Sequence, residues 1–264
     1  MLGSAARMVL RGHVRVARRN LELCLSDRSV QERERILKNH FRSLGMTLGE
    51  TASTWWFSPK QLSALGHIDG MEHLDRALAA GNGAILLAAH FTTLEITAGI
   101  IAAVRPMHPV HKPTKDLLLT EILAVRRDGF TSGAISRDDI RSMVHTLKAN
   151  GVVWYAPDQA YRAKGAEMVP LFGIPVATNT ATSRLARISG AQVLPFFAER
   201  LPGADGYRVT IHPPFKDFPS GDSIADTRRF HALIEEHVRL VPEQYLWVHK
   251  RFKGLDASYP AYYA

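Results

Sequence analysis

A histidine and a carboxylate five positions apart, in Leu86-Leu-Ala-Ala-His-Phe-Thr-Thr-Leu-Glu95, are the residues best suited to moving a proton. An imidazole with an ordinary pKa of about 6.5 can accept and return a proton near neutral pH. A carboxylate bonded to one ring nitrogen fixes the tautomer and stabilises the imidazolium that forms. Such a pair could strip the proton from a hydroxyl as it attacks a thioester carbonyl, with His90 as general base and Glu95 holding the ring. The bland alternative is a rim histidine that only makes a structural hydrogen bond. Which applies depends on the elements around the pair. On one continuous helix a spacing of five separates two side chains by about 140°. A histidine at a strand exit and a glutamate in the first turn of the next helix can instead meet.

The flanking residues favour the second arrangement. Ala84 to Ala89 is an apolar run of buried-strand type, and Leu94 to Val104 has helical character. Further along, Val152 to Ala156 is strand-like and leads into Pro157-Asp158-Gln159, so Asp158 is also expected at a strand exit, shaping the site or capping a turn. Open α/β sheets hold their ligand chemistry outside the carboxyl ends of the strands.

The rest of the chain alternates in the same way. Helices are expected over 71–80, 116–127, 138–149, 179–189 and 223–240, and strands over 107–111, 193–198 and 207–212. This implies an α/β fold, a central sheet flanked by helices. Residues 1–57 read as N-terminal helices of the same domain, and 58–264 as its α/β core. No internal repeat or linker marks a second domain.

Two long helices are expected ahead of the core. In Leu2 to Leu25, Arg7, Arg11, Arg15 and Arg18 share one face, and the apolar residues fall mainly on the other. Such a helix can rest on anionic lipid or pack its apolar side on the domain. Val30 to Trp56 closes with Trp55 and Trp56, a pair fit for a membrane interface, a core or a subunit contact.

A formal charge of +8 and a pI near 9.8 admit three kinds of partner: nucleic acid, an anionic membrane surface, or an acidic protein or phosphorylated substrate. Cys24 is the single cysteine, which excludes an intramolecular disulfide and argues against a cysteine zinc site. The longest stretch without a charged residue, Ala77 to Leu94, is broken by Gly81-Asn82-Gly83 and ends in polar residues, so no span of about 20 apolar residues is expected. The start lacks the apolar run and cleavage site of a secretory signal. Neither His-Glu-x-x-His nor Gly-x-Ser-x-Gly occurs, which weakens metallohydrolase and serine hydrolase readings. A non-enzymatic nucleic-acid or membrane-surface binder remains the rival. Nucleic acid is not the expected partner, because the basic residues form no recognisable module.

Several stretches, in order, carry a likeness. They are Asn20-Leu-Glu-Leu-Cys24, Ile85 to Glu95, Val152-Val-Trp-Tyr-Ala-Pro-Asp-Gln159, Val169-Pro-Leu-Phe-Gly173, Ser183-Arg-Leu-Ala-Arg187 and Gln244-Tyr-Leu-Trp-Val-His-Lys-Arg-Phe-Lys253. Together they resemble the late acyltransferases of lipid A biosynthesis, the lauroyl and myristoyl transferases of Gram-negative bacteria. The resemblance implies a single-domain, glycerolipid-acyltransferase-like fold with a mixed sheet. It implies an acyl carrier protein thioester as donor and a lipid A precursor hydroxyl as acceptor. The expected partners are thus an acidic carrier protein, a lipid or glycolipid, and an anionic membrane surface. Catalysis is implied at the cytoplasmic face of the inner membrane, with no metal or redox cofactor. His90 and Glu95 take the catalytic positions, Arg127 falls where the family has an arginine near the reacting centre, and Lys112 and Asp158 are expected to contact substrate. Two departures stand out. The family carries an apolar membrane-spanning segment before the part that matches Asn20-Leu21, and this sequence starts too late to include one. Where the family often has Tyr-Arg-Pro, this chain has His111-Lys112-Pro113, which keeps the charge and loses the bidentate fork. His249, Lys250, Arg251 and Lys253, with Arg228 and Arg229, could meet carrier or acceptor, or be solvated surface charge.

Overall fold

Ala84-Ile-Leu-Leu87 forms β2 at the middle of a seven-stranded sheet, and its four side chains are at most 2% exposed. That is why the run is apolar on both faces and not alternating. The computed structural model describes residues 11–112, 129 and 131–264. Within them, helices α1 (Arg11–Cys24), α2 (Val30–Trp56) and α3 (Pro59–Ser63) precede β1 (Gly66–Asp69), α4 (Met71–Ala79), β2, α5 (Leu94–Ala102), β3 (His108–His111) and β4 (Ile135–Ser136). Then come α6 (Ile140–Lys148), β5 (Val152–Tyr155), β6 (Ala166–Leu171), β7 (Ile174–Asn179), α7 (Ala181–Ser189), β8 (Gln192–Arg200), β9 (Tyr207–Ile211) and α8 (Ser223–Leu240). The sheet order is β1-β9-β8-β2-β5-β3-β4. Every pairing is parallel except β8 with β9, so the sheet is mixed, as expected.

Strand alternation divides the core in two. Ile85, Leu87, Val153, Tyr155 and Val193 join one apolar cluster, and Ala84, Leu86, Val152, Trp154 and Leu194 join the other. The first cluster also takes Ala17, Leu21 and Cys24 of α1 and Ile36, Leu37 and Phe41 of α2. Over Arg11–Cys24, therefore, the apolar side of the first helix packs on the core and is not left for lipid. Its arginines face outward, and Arg18 pairs with Glu34 at 2.6 Å. The expected helix over 116–127 lies outside the described residues. No described helix is long and apolar enough to cross a membrane.

The β6–β7 hairpin was not legible beforehand. Its turn is Phe172-Gly173, both with positive φ (50° and 74°), in the manner of a turn that normally asks for Asn-Gly. A phenylalanine tolerates this because its N–H donates to Glu235 of α8 at 2.8 Å and Arg239 lies over its ring. Tertiary contacts, not turn chemistry, set this hairpin.

Candidate active site

Parallel register builds the site. β2 and β5 are neighbours with Leu87 opposite Tyr155, and the Ala88 N–H donates to the Tyr155 carbonyl at 2.8 Å. His90 and Asp158 each lie three positions beyond that rung, so the two strand exits run out side by side. Asp158 Oδ1 is 2.5 Å from His90 Nδ1, and Oδ2 accepts the His90 backbone N–H at 3.0 Å. An ionised carboxylate only accepts, so Nδ1 carries the ring proton and Nε2 is the basic nitrogen.

Asp158 is an interior group, with its side chain 2% exposed, whereas His90 is 23% exposed. Burial pushes the Asp158 carboxyl up. The His90 charge, its two hydrogen bonds and the charge of Arg251 outweigh this and hold it below the usual carboxylate range. Tyr245 donates its hydroxyl to Oδ2 at 3.4 Å, and burial raises that phenol well above its ordinary value. Arg251 is 3% exposed and donates to the Ala177 carbonyl and the Thr178 hydroxyl at 2.9 and 2.7 Å. It is an interior cation facing an interior anion, and not the solvated surface charge allowed for above.

The segment Gln244 to Trp247 straps the exit of β2. Thr92 N–H donates to the Gln244 carbonyl at 2.7 Å, and Leu246 N–H donates to the His90 carbonyl at 3.0 Å. Gln244 is held in turn by reciprocal bonds with the Arg200 backbone at 2.7 and 2.9 Å. Asn20 of α1 donates to the Trp247 and His249 carbonyls at 2.6 and 2.8 Å. Four of the motif stretches thus converge on the backbone around one histidine.

A cavity of about 510 Å³ opens beside the ring, lined by His90, Glu95, Lys112, Arg137, Trp154 and His249, among others. Glu95 stands in the first turn of α5, as expected, and lines this cavity. Glu95 was expected to hold the ring through one of its nitrogens, and the carboxylate at Nδ1 is Asp158. Asp158 was expected to contact substrate, but it is buried behind the ring. Parallel register puts the β5 exit closer to Nδ1 than sequence distance suggests. Lys112 lies in the cavity wall, and Arg127 is outside the described residues. Of the other two imidazoles in this wall, His111 and His249, the second is engaged. Its Nε2 accepts the Ala160 N–H at 3.1 Å, and burial lowers it to about 4, so it is neutral with its basic nitrogen occupied. Sequence reasoning missed Arg137, Tyr245 and the structural part of Arg251; the Gln244–Lys253 stretch was the only signal for the last two.

The bacterial lipid A biosynthesis acyltransferase family matches residues 1–254. The chain belongs to that family. It is similar to the lipid A biosynthesis lauroyltransferase of Escherichia coli K12, 34% identical over 99% of this chain and 86% of that protein. It is as similar to the palmitoleoyltransferase of the same organism, 34% identical over 96% and 82%. The myristoyltransferase is 28% identical over 89% and 73%. This member of the family is an acyltransferase, which excludes the non-enzymatic rival.

Proposed function

We propose that this acyltransferase moves a fatty acyl chain from an acyl carrier protein thioester to a hydroxyl of a lipid A precursor, at the cytoplasmic face of the inner membrane. The observation that carries the mechanism is the His90 ring gripped at Nδ1 by a buried, ionised Asp158. Nε2 takes the proton of the acceptor hydroxyl as its oxygen attacks the thioester carbonyl. The tetrahedral oxyanion then collapses, the C–S bond breaks, and the imidazolium returns its proton to the departing thiolate. The products are the acyl ester and the free carrier thiol. Asp158 keeps Nδ1 protonated and stabilises the imidazolium. General base help of this kind contributes roughly 10²–10⁴-fold.

Glu95, in the cavity wall, accepts hydrogen bonds from acceptor hydroxyls and sets the attacking one toward Nε2. Lys112 supplies positive charge for the oxyanion or for an anionic part of the acceptor, and Arg127 is assigned the same kind of work from its sequence position. The net charge of +8 suits an acidic carrier protein and an anionic membrane surface. No step calls for a metal or redox cofactor.

The test is transfer of radiolabelled acyl chain from acyl carrier protein to a tetra-acylated lipid A precursor in detergent. Label moving to the lipid supports the proposal. Label appearing only as free fatty acid makes the protein a thioesterase, and label staying on the carrier overturns the assigned donor and acceptor.

A further inference from the structure

A larger concavity, about 850 Å³, lies between α1 and the C-terminal segment, outside the groups assigned to chemistry. It shares His249 and Lys253 with the catalytic cavity, so the two adjoin. Its walls carry Arg15, Arg18, Arg19, Lys250 and Lys253 against one carboxylate side chain, Glu22. Arg18 is matched by Glu34 at 2.6 Å and Arg19 by Glu22 at 3.1 Å. Among the described residues, Arg15, Lys250 and Lys253 have no carboxylate partner, although they converge from a helix and from the C-terminal segment. Tyr262 and Tyr263 form part of the wall and back two of the cations: Arg19 lies over the first ring and Lys250 over the second.

We infer that this cleft binds a phosphate-bearing headgroup of the acceptor lipid, with Arg15, Lys250 and Lys253 as its contacts. The inference rests on the acyl-transfer reading and adds to it the place where the acceptor is gripped. Three observations favour this occupant. Cations left without carboxylates at one concavity match a multiply charged anion, and phosphate oxygens accept strong charge-assisted bonds. The volume falls within the roughly 300–1,000 Å³ of small-ligand sites, whereas a protein partner calls for a broad face of about 800 Å². Because His249 and Lys253 border both cavities, one molecule can hold its anionic group here while its hydroxyl reaches His90.

The experiment is equilibrium binding of a phosphorylated lipid A precursor, and of the same lipid after phosphatase treatment, to wild-type protein and to Arg15→Gln/Lys250→Gln. Both residues are exposed, so the variant is expected to fold. Wild type should prefer the phosphorylated lipid by about tenfold or more, and the double variant should lose that preference without weakening the dephosphorylated lipid. An unchanged preference in the variant overturns the inference. So does a variant that weakens only carrier protein binding, which gives the cleft to the carrier. Displacement of the lipid by equimolar inorganic phosphate would assign the site to free phosphate and likewise overturn it. Acyl transfer measured on the same samples judges the reaction separately: cleft discrimination without transfer would sink the reading and leave the site.

Discussion

Asp158 and Glu50 are both interior carboxylates beside the loop that leaves β2, yet they are built for different work. Asp158 faces a histidine, which can hold or release a proton near neutral pH. Glu50, on α2, faces Arg200 at 2.5 Å and accepts the Tyr207 hydroxyl at 2.8 Å. A guanidinium stays charged at any pH the protein meets. Arg200 reaches on to the Ser43 hydroxyl at 2.7 Å, and Ser43 is 2.6 Å from the Thr92 hydroxyl, two residues past His90. One cluster opens on a cavity and can move a proton. The other is closed and fixed, and braces α2 against the loop that carries the base.

This contrast can be broken at either end. Asp158→Asn keeps an acceptor for the His90 N–H but removes the charge that fixes the ring. Transfer is expected to fall about 10³–10⁴-fold with little change in melting temperature, because the tautomer is no longer held. A variant of near wild-type rate would show the pair to be structural. Glu50→Gln should do the opposite. It leaves Arg200 buried without a counter-charge, a loss of about 3–5 kcal/mol in stability by chemical denaturation, while the folded fraction keeps its rate per molecule. Equal stability of variant and wild type would remove the brace.

The smallest effect is in pH. Burial lowers His40, His231 and His237 to about 4, against an ordinary 6.5. The unfolded chain binds those protons more readily, so their contribution to stability is complete above about 6.5 and is lost as pH falls toward 4. Asp158, held below the usual carboxylate range, keeps its charge through most of that window. Melting temperature should therefore drop by several degrees from pH 7 to pH 5, and His249 of the catalytic cavity, lowered to about 4 by the same cause, adds to the drop. A flat profile would mean these rings are not buried and neutral.

Most of the fold was legible because the apolar runs match their burial. Val30–Trp56 and Ser223–Leu240 are helices with the bounds expected, and α7 ends at Gly190, whose φ of 78° suits the residue. The β6–β7 hairpin was missed because Phe172 sits at a left-handed position that only tertiary bonds support. At the site, the histidine, the strand exit and the helix-borne Glu95 were readable, since local pattern sets them. The partner of the histidine was not, because Asp158 meets His90 through strand register across 68 positions of chain. Beyond its place in the Gln244–Lys253 stretch, Arg251 gave no sign of its burial, since a basic run looks the same whether solvated or facing an interior carboxylate.

The central claim is that His90 carries the proton. Single-turnover acyl transfer by wild type and by folded His90→Ala, from the same labelled carrier thioester, tests it most directly. The account expects transfer by the wild type and a loss of about 10⁴-fold in the variant, the upper end of general base catalysis. Transfer by His90→Ala at the wild-type rate would contradict it.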